Sequence, residues 1–219
     1  MRGECAVMSW WLPLAVVTSV CSAIACADPQ PPVWPEQFHA VLFQNRTGNK
    51  LALVDLWYDW PGGRNFNIIH TQLGPTIYDL ELNSGKQYVW FDNREDCKTI
   101  EQPVGILSPD WLSNATYLGV DTLDTFNVDA WTKTPWPTKD RMFIHYYTDT
   151  KSGLPVFWQF FDKAKFHVLK FEANKTLPEN EWQEPAQCHD KTFTASLHPA
   201  SEEWLNPLLI ADQQSLSFS

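Results

Sequence analysis

The stretch Lys50-Leu51-Ala52-Leu53-Val54-Asp55-Leu56-Trp57-Tyr58-Asp59-Trp60-Pro61-Gly62-Gly63-Arg64-Asn65-Phe66-Asn67-Ile68 decides the fold class. Ala52, Val54, Leu56, Tyr58 and Trp60 fall on one face of an extended chain. Leu51, Leu53 and Trp57 fall on the other, interrupted by Asp55 and Asp59. A period of two is the signature of a strand. Pro61-Gly62-Gly63 then breaks the pattern with a tight turn, and Arg64 to Ile68 resumes it. The reading is a β-hairpin whose first strand is apolar on both faces. Such a strand is covered on both sides, or lines a cavity on one. Residues 154–161 repeat the property, with Val156, Trp158 and Phe160 opposite Phe157, Gln159 and Phe161.

The same alternation extends in both directions. Strands are expected near 38–44, 50–60, 65–70, 76–82, 86–91, 117–123, 126–132, 142–148, 154–161 and 166–172. Asn83-Ser84-Gly85 and Lys151-Ser152-Gly153 mark further hairpins. The chain is therefore mainly all-β and antiparallel: two stacked sheets, or one sheet curved around a pocket. Helix signals are sparse, with one turn expected at 177–182 before Pro185.

Residues 1–27 have a different character. An apolar run from Met8 to Ile24 ends in Ala25-Cys26-Ala27, the small-residue pattern of a secretory signal peptide cut after Ala27. Pro13 interrupts the run, which is short for a bilayer span. Residues 28–188 then form a single β-rich domain, and 189–219 a mostly flexible tail. After Ala27 no segment is long and apolar enough for a transmembrane helix.

Removal of that leader takes away Cys5, Cys21 and Cys26 and leaves Cys97 and Cys188. In an oxidising compartment these read as one disulfide, with two free thiols the alternative. Asn45, Asn114 and Asn174 each open an Asn-x-Thr sequon and are candidate glycosylation sites. The expected location is the secretory route, ending outside the cell, in the apoplast, or in a vacuolar or lysosomal lumen.

The net charge of −10 argues against nucleic acid and anionic membrane surfaces as partners. No phosphate loop, nucleophile elbow or His-Glu-x-x-His motif occurs, and the histidines lack ligand spacing. No Asp-x-Asp triplet of a metal-dependent sugar transferase is present; Asp79-Leu80-Glu81 is only a loose relative. Catalytic and metal-ligating residues are therefore not assigned, and no cofactor is expected from the residues themselves. Nothing in the pattern indicates an oligomeric state.

Ten tryptophans follow residue 27. They suit a thick core, the wall of an apolar cavity, or stacking platforms for sugar. The expected partner is an apolar small molecule, with a wall drawn from Phe43, Trp57, Trp90, Phe143, Tyr147, Trp158 and Phe160. Asp59 and Arg64 flank the Pro61 turn. They either pair locally or place Arg64 as a clamp for an anionic head group at the cavity mouth.

Trp34-Pro35, Phe38-His39, Leu56 to Ile68, Val104-Gly105-Ile106-Leu107, Pro109, Trp111 and Leu112 resemble a plant family of uncharacterised secreted proteins, sometimes labelled glycosyl-group transferases. The order Tyr58-Asp59, Arg64, Cys97, Asn114 with Thr116, Gly119, Trp131, Pro155-Val156, and Cys188 after Pro185 is similar, more distantly, to ependymin-related proteins. That resemblance implies two antiparallel sheets curved around a deep apolar pocket, as in bacterial lipoprotein carriers. It implies pairing of Cys97 with Cys188, lipid binding and an association with calcium. Three functions follow as expectations: a non-enzymatic binder of a lipid or fatty acyl chain, a cell-wall carbohydrate-binding module, and the transferase of the family label.

Overall fold

The hairpin read from residues 50–68 is two strands of a much larger sheet. In the computed structural model, which describes residues 29–95, 97–102, 104–134 and 143–189, the chain forms eleven strands. They are β1 (Gln37–Arg46), β2 (Lys50–Asp59), β3 (Arg64–Thr71), β4 (Thr76–Leu82), β5 (Lys86–Phe91), β6 (Cys97–Glu101), β7 (Thr116–Leu123), β8 (Phe126–Lys133), β9 (Ile144–Asp149), β10 (Pro155–Phe160) and β11 (Lys165–Ala173). Two short 3-10 turns follow, Glu179–Glu181 and Ala186–His189. The leader at 1–27 and the tail beyond His189 lie outside the described residues.

All strands belong to one antiparallel sheet in the order β6-β5-β4-β3-β2-β1-β11-β10-β9-β8-β7. The chain makes one meander from β1 to β6 and a second from β7 to β11. The two join where β11 pairs with β1. The two expected layers are thus the two arms of a single unclosed, curved sheet. Ten strands lie where alternation places them, and β6 adds an eleventh at one edge.

Topology explains why the sheet curls. β6 and β7 are consecutive in the chain yet stand at opposite edges. Laid flat, ten strand spacings would separate them by about 48 Å. From Glu101 to Thr116 there are fifteen residue steps, which reach about 50 Å only if fully extended. Residues 109–114 are turns instead, so the edges must bend towards each other. The connection crosses the inner face and drives Ile106, Trp111 and Leu112 into the main core, with Phe38, Leu42, Val54, Leu56, Tyr58, Tyr146 and Trp158. Hydrogen bonds hold it there: Trp34 N–H donates to Pro109 O at 2.8 Å, and Tyr58 Oη–H to Leu107 O at 2.7 Å.

The outer face of β3–β5 is also apolar, and the segment after β11 covers it. Phe66, Leu80 and Tyr88 pack under Trp182, Leu177 and the Cys97–Cys188 disulfide. The bridge spans 91 residues with a Cα–Cα distance of 4.9 Å. It ties edge strand β6 to the covering segment. A bulge at Leu169 lets Val168 and Phe171 both face the main core while Leu169 stands exposed.

Replacing both Cys97 and Cys188 by Ser is expected to cost about 4–5 kcal/mol, from the entropy of the released loop. Urea unfolding under oxidising conditions measures it. A loss below about 1 kcal/mol would contradict the role given to the bridge.

Candidate functional site

Curling and the crossing connection together leave a cavity of about 180 Å³ on the inner face. Its apolar wall comes from strands of both arms and from the connection that crosses them. Leu42 projects from β1, Val54, Leu56 and Tyr58 from β2, Trp158 and Phe160 from β10, and Phe166 from β11. Ile106, Leu107 and Trp111 close it from the connection, beside Trp34. Trp34 Nε1–H donates to the Tyr146 hydroxyl at 2.8 Å, which orients the indole. Burial raises the pKa of both Tyr58 and Tyr146, so both phenols stay neutral.

The other end of the cavity is polar. Gln44 and Arg46 from β1 meet Asn65 and Asn67 from β3 and Asp79 and Glu81 from β4. The register builds this end directly: Asn67 opposes Asp79 and Asn65 opposes Glu81. Asp79, only 2 % exposed, accepts from Gln87 Nε2 at 2.7 Å. Glu81 accepts longer bonds from the Asn65 and Asn67 amides, at 3.3 and 3.4 Å. Burial pushes both carboxyls above the usual range, and the Asp79 charge adds to the rise at Glu81. The pair therefore retains a proton under conditions where isolated acids are ionised.

Gln44 Oε1 and Trp111 Nε1, both buried at the cavity, meet no hydrogen-bond partner among the described residues. Gln44 is 2 % exposed and Trp111 7 %. Buried groups of this kind are normally satisfied, so an acceptor and a donor both stand available to a guest.

The residues expected for the wall divide between the two faces. Trp158 and Phe160 line the cavity. Phe143 packs behind them, 5.7 Å from Phe160 and 6.4 Å from Trp111. The other four stand elsewhere, because an odd offset along a strand turns a side chain to the opposite face. Trp57 stacks on His39 at 3.9 Å, where His39 bridges Asp55 and Glu172. Phe43 lies beside His167 and Tyr147 beside Phe157. Trp90 stacks on Tyr78 beneath the C-terminal cover.

Arg64 is also placed away from the cavity. Its Nε donates to Asp59 Oδ2 at 2.9 Å, and its two terminal nitrogens grip Glu179 at 2.8 and 2.6 Å. The guanidinium lies 4.5 Å over the Trp182 ring. It is a strut between the hairpin turn and the covering segment, engaged on every side. Burial alone would raise the Asp59 carboxyl; bonds from Gln37, Arg64 and the Gly62 N–H outweigh it and hold the pKa low. A Cβ at Gly62 would run into that carboxylate, which is why glycine stands there.

Asn114 and Asn174 are exposed at left-handed turn positions, with φ of 63° and 58°. Asn45 is half-buried near the end of β1. No tryptophan among the described residues is exposed, so none offers an open stacking platform. The described residues also hold no group of three or more His, Cys, Asp or Glu placed to bind a metal ion. No helix among them is long and apolar enough to cross a membrane.

Two pH effects of opposite sign follow. A raised carboxyl pKa stabilises the fold below the unfolded-state value and loses that contribution as pH rises through the folded one. Glu81→Gln is therefore expected to be more stable than the parent at pH 8, with the difference vanishing near pH 4. The depressed Asp59 acts in reverse: its contribution is present at neutral pH and disappears as pH falls through its folded pKa. Asp59→Asn should cost about 1–3 kcal/mol at pH 7 and little near pH 2. Thermal melts across pH check both signs, and a Glu81→Gln difference constant with pH would contradict the assignment.

Solved structures show remote similarity to the chain, with TM-scores below 0.5. An uncharacterised conserved protein from Thermus thermophilus is 10% identical with a TM-score of 0.49, over 70% of this chain and 88% of that one. A DUF1329 family protein from Desulfovibrio piger is 11% identical with a TM-score of 0.37, over 68% of this chain and 90% of that one. MucB is 16% identical with a TM-score of 0.33, over 69% of this chain and 58% of that one. No curated protein matches in sequence. Residues 33–188, which run from the lead-in before β1 to the second cysteine of the disulfide, match one family throughout, and the chain belongs to it: the domain of unknown function DUF8395.

Proposed function

We propose that this protein is a non-enzymatic carrier or sensor that holds a small, largely apolar ligand inside its curved sheet. The observation that carries the reading is the cavity of about 180 Å³, walled by Leu42, Val54, Leu56, Trp158, Phe160 and Phe166. Enclosed apolar spaces near 150 Å³ take up a benzene-sized guest. Burial of the guest against this wall supplies about 25 cal/mol per Å² of apolar surface removed from water. The volume suits a ring or a short acyl segment; the rest of a long-chain lipid would remain outside. The ependymin-like order of motifs points in the same direction.

The reading places the protein in the secretory route. Its support is the signal-like stretch at 1–27, the Cys97–Cys188 disulfide, and sequons at Asn45, Asn114 and Asn174, none of them buried. Disulfides persist in oxidising compartments, which fits an extracellular or luminal destination.

Naphthalene, followed by its own fluorescence, is the test ligand. Half-buried Ile69 lines the cavity from β3, so Ile69→Trp fills it with little demand on the closed core. Naphthalene affinity is expected to fall at least tenfold in Ile69→Trp and to be unchanged in Leu169→Ala, whose side chain is exposed on β11. Equal binding by Ile69→Trp and the parent would overturn the reading.

A further inference from the structure

The polar end of the cavity is unusual for a purely apolar binding site. It sets two carboxyl groups on adjacent inward positions of β4, at the far end of an aromatic chamber. The amide of Gln44, which lines the same cavity, presents an acceptor, Oε1, that no group of the described residues meets. Its side chain is almost completely buried, so bulk water cannot serve it freely. An unsatisfied buried acceptor in one cavity with buried Asp79 and half-buried Glu81 asks for a donor with positive charge.

We propose that Asp79, Glu81 and Gln44, with the amides of Asn65 and Asn67 behind them, take the ammonium head of a small primary amine whose apolar body lies on the aromatic wall. The proposal rests on the cavity holding an apolar ligand and adds the chemistry of its head. Three classes of head compete. A carboxylate or phosphate would face Asp79 and Glu81 on β4, and Asp162 in the β10–β11 turn acting on Arg46. Arg46 already faces Asp79 and Asp162, which offset part of the cost of burying its charge. An alcohol brings one donor; an ammonium brings three and a charge.

Charge balance makes the exchange feasible in a buried site. The groups facing Glu81 are Asp79 on its own strand and the uncharged Asn65 and Asn67 on β3, while Arg46 on β1 acts on Asp79. Gln87 on β5 holds Asp79 in place. The amine enters as R–NH3+, and the carboxyl pair releases its retained proton to the buffer. One O–H bond breaks, no other covalent bond changes, and the net charge of the cavity stays the same. The cost of burying a lone cation is thereby avoided.

Titration calorimetry at pH 7 with 2-phenylethylamine, 2-phenylethanol and 3-phenylpropanoate tests the proposal, each run in two buffers of different ionisation enthalpy. The amine is expected to bind at least tenfold more tightly than the alcohol, with buffer-dependent heat reporting proton release. Glu81→Gln should abolish that release and weaken the amine at least tenfold while leaving the alcohol unchanged. Gln44→Leu should also weaken the amine selectively; circular dichroism confirms that each variant is folded. If the alcohol binds as tightly as the amine, or the amine binds without releasing a proton, the ammonium site is overturned while the apolar cavity stands. If none of the three binds, both are overturned.

Discussion

The short connection between the two sheet edges is the constraint on which the rest of the molecule depends. A flat eleven-stranded sheet could not be joined edge to edge by residues 102–115 with turns in their middle. The sheet must curl, and the connection must pass over the concave side. Passing there, it delivers Ile106, Trp111 and Leu112 as apolar anchors. It also accepts the Tyr58 hydroxyl and Trp34 backbone bonds that hold it down. What would otherwise be a solvent-filled trough becomes a partly enclosed space.

Enclosure then decides the chemistry of whatever faces inward. Over the arm containing β9–β11 the inward residues are aromatic and aliphatic, and they close into the main core. Over β3–β5 the inward row is partly polar, because Asn65, Asn67, Asp79, Glu81 and Gln87 share the phase of Ile69, Ile77 and Val89. The same arm compensates on its outer side. Phe66, Leu80 and Tyr88 form a second core there beneath Trp182 and the disulfide, and Arg64 pins that cover through Glu179. One arm is thus apolar inside, and the other is polar inside and apolar outside. The cavity lies where the two regimes meet.

That division explains what could be read in advance. The strand pattern and hairpins were plain from period-two alternation and Gly-containing turns, because both signals are local. β6 escaped because Cys97–Glu101 has five residues and carries Lys98, Thr99 and Glu101. The wall was harder, since alternation separates two faces without saying which one is concave. Trp57, Trp90, Phe43 and Tyr147 are large aromatics and natural choices, yet they sit on the outer side or beneath the cover. The polar end was missed for the same reason: Asp79 and Glu81 alternate with Leu80 and Leu82 just as they would on a solvated face. Only the cover from Leu177 to Cys188, distant in sequence, reverses that assignment.

The central claim is that the curl encloses an accessible, largely apolar space, and a crystal pressurised with xenon tests it most directly. Xenon enters apolar cavities of this size without demanding hydrogen bonds. The account predicts a xenon site among Leu42, Val54, Ile69 and Trp158, or density there for a retained guest that keeps xenon out. Side chains packed into that volume, with neither xenon nor a guest between them, would contradict it.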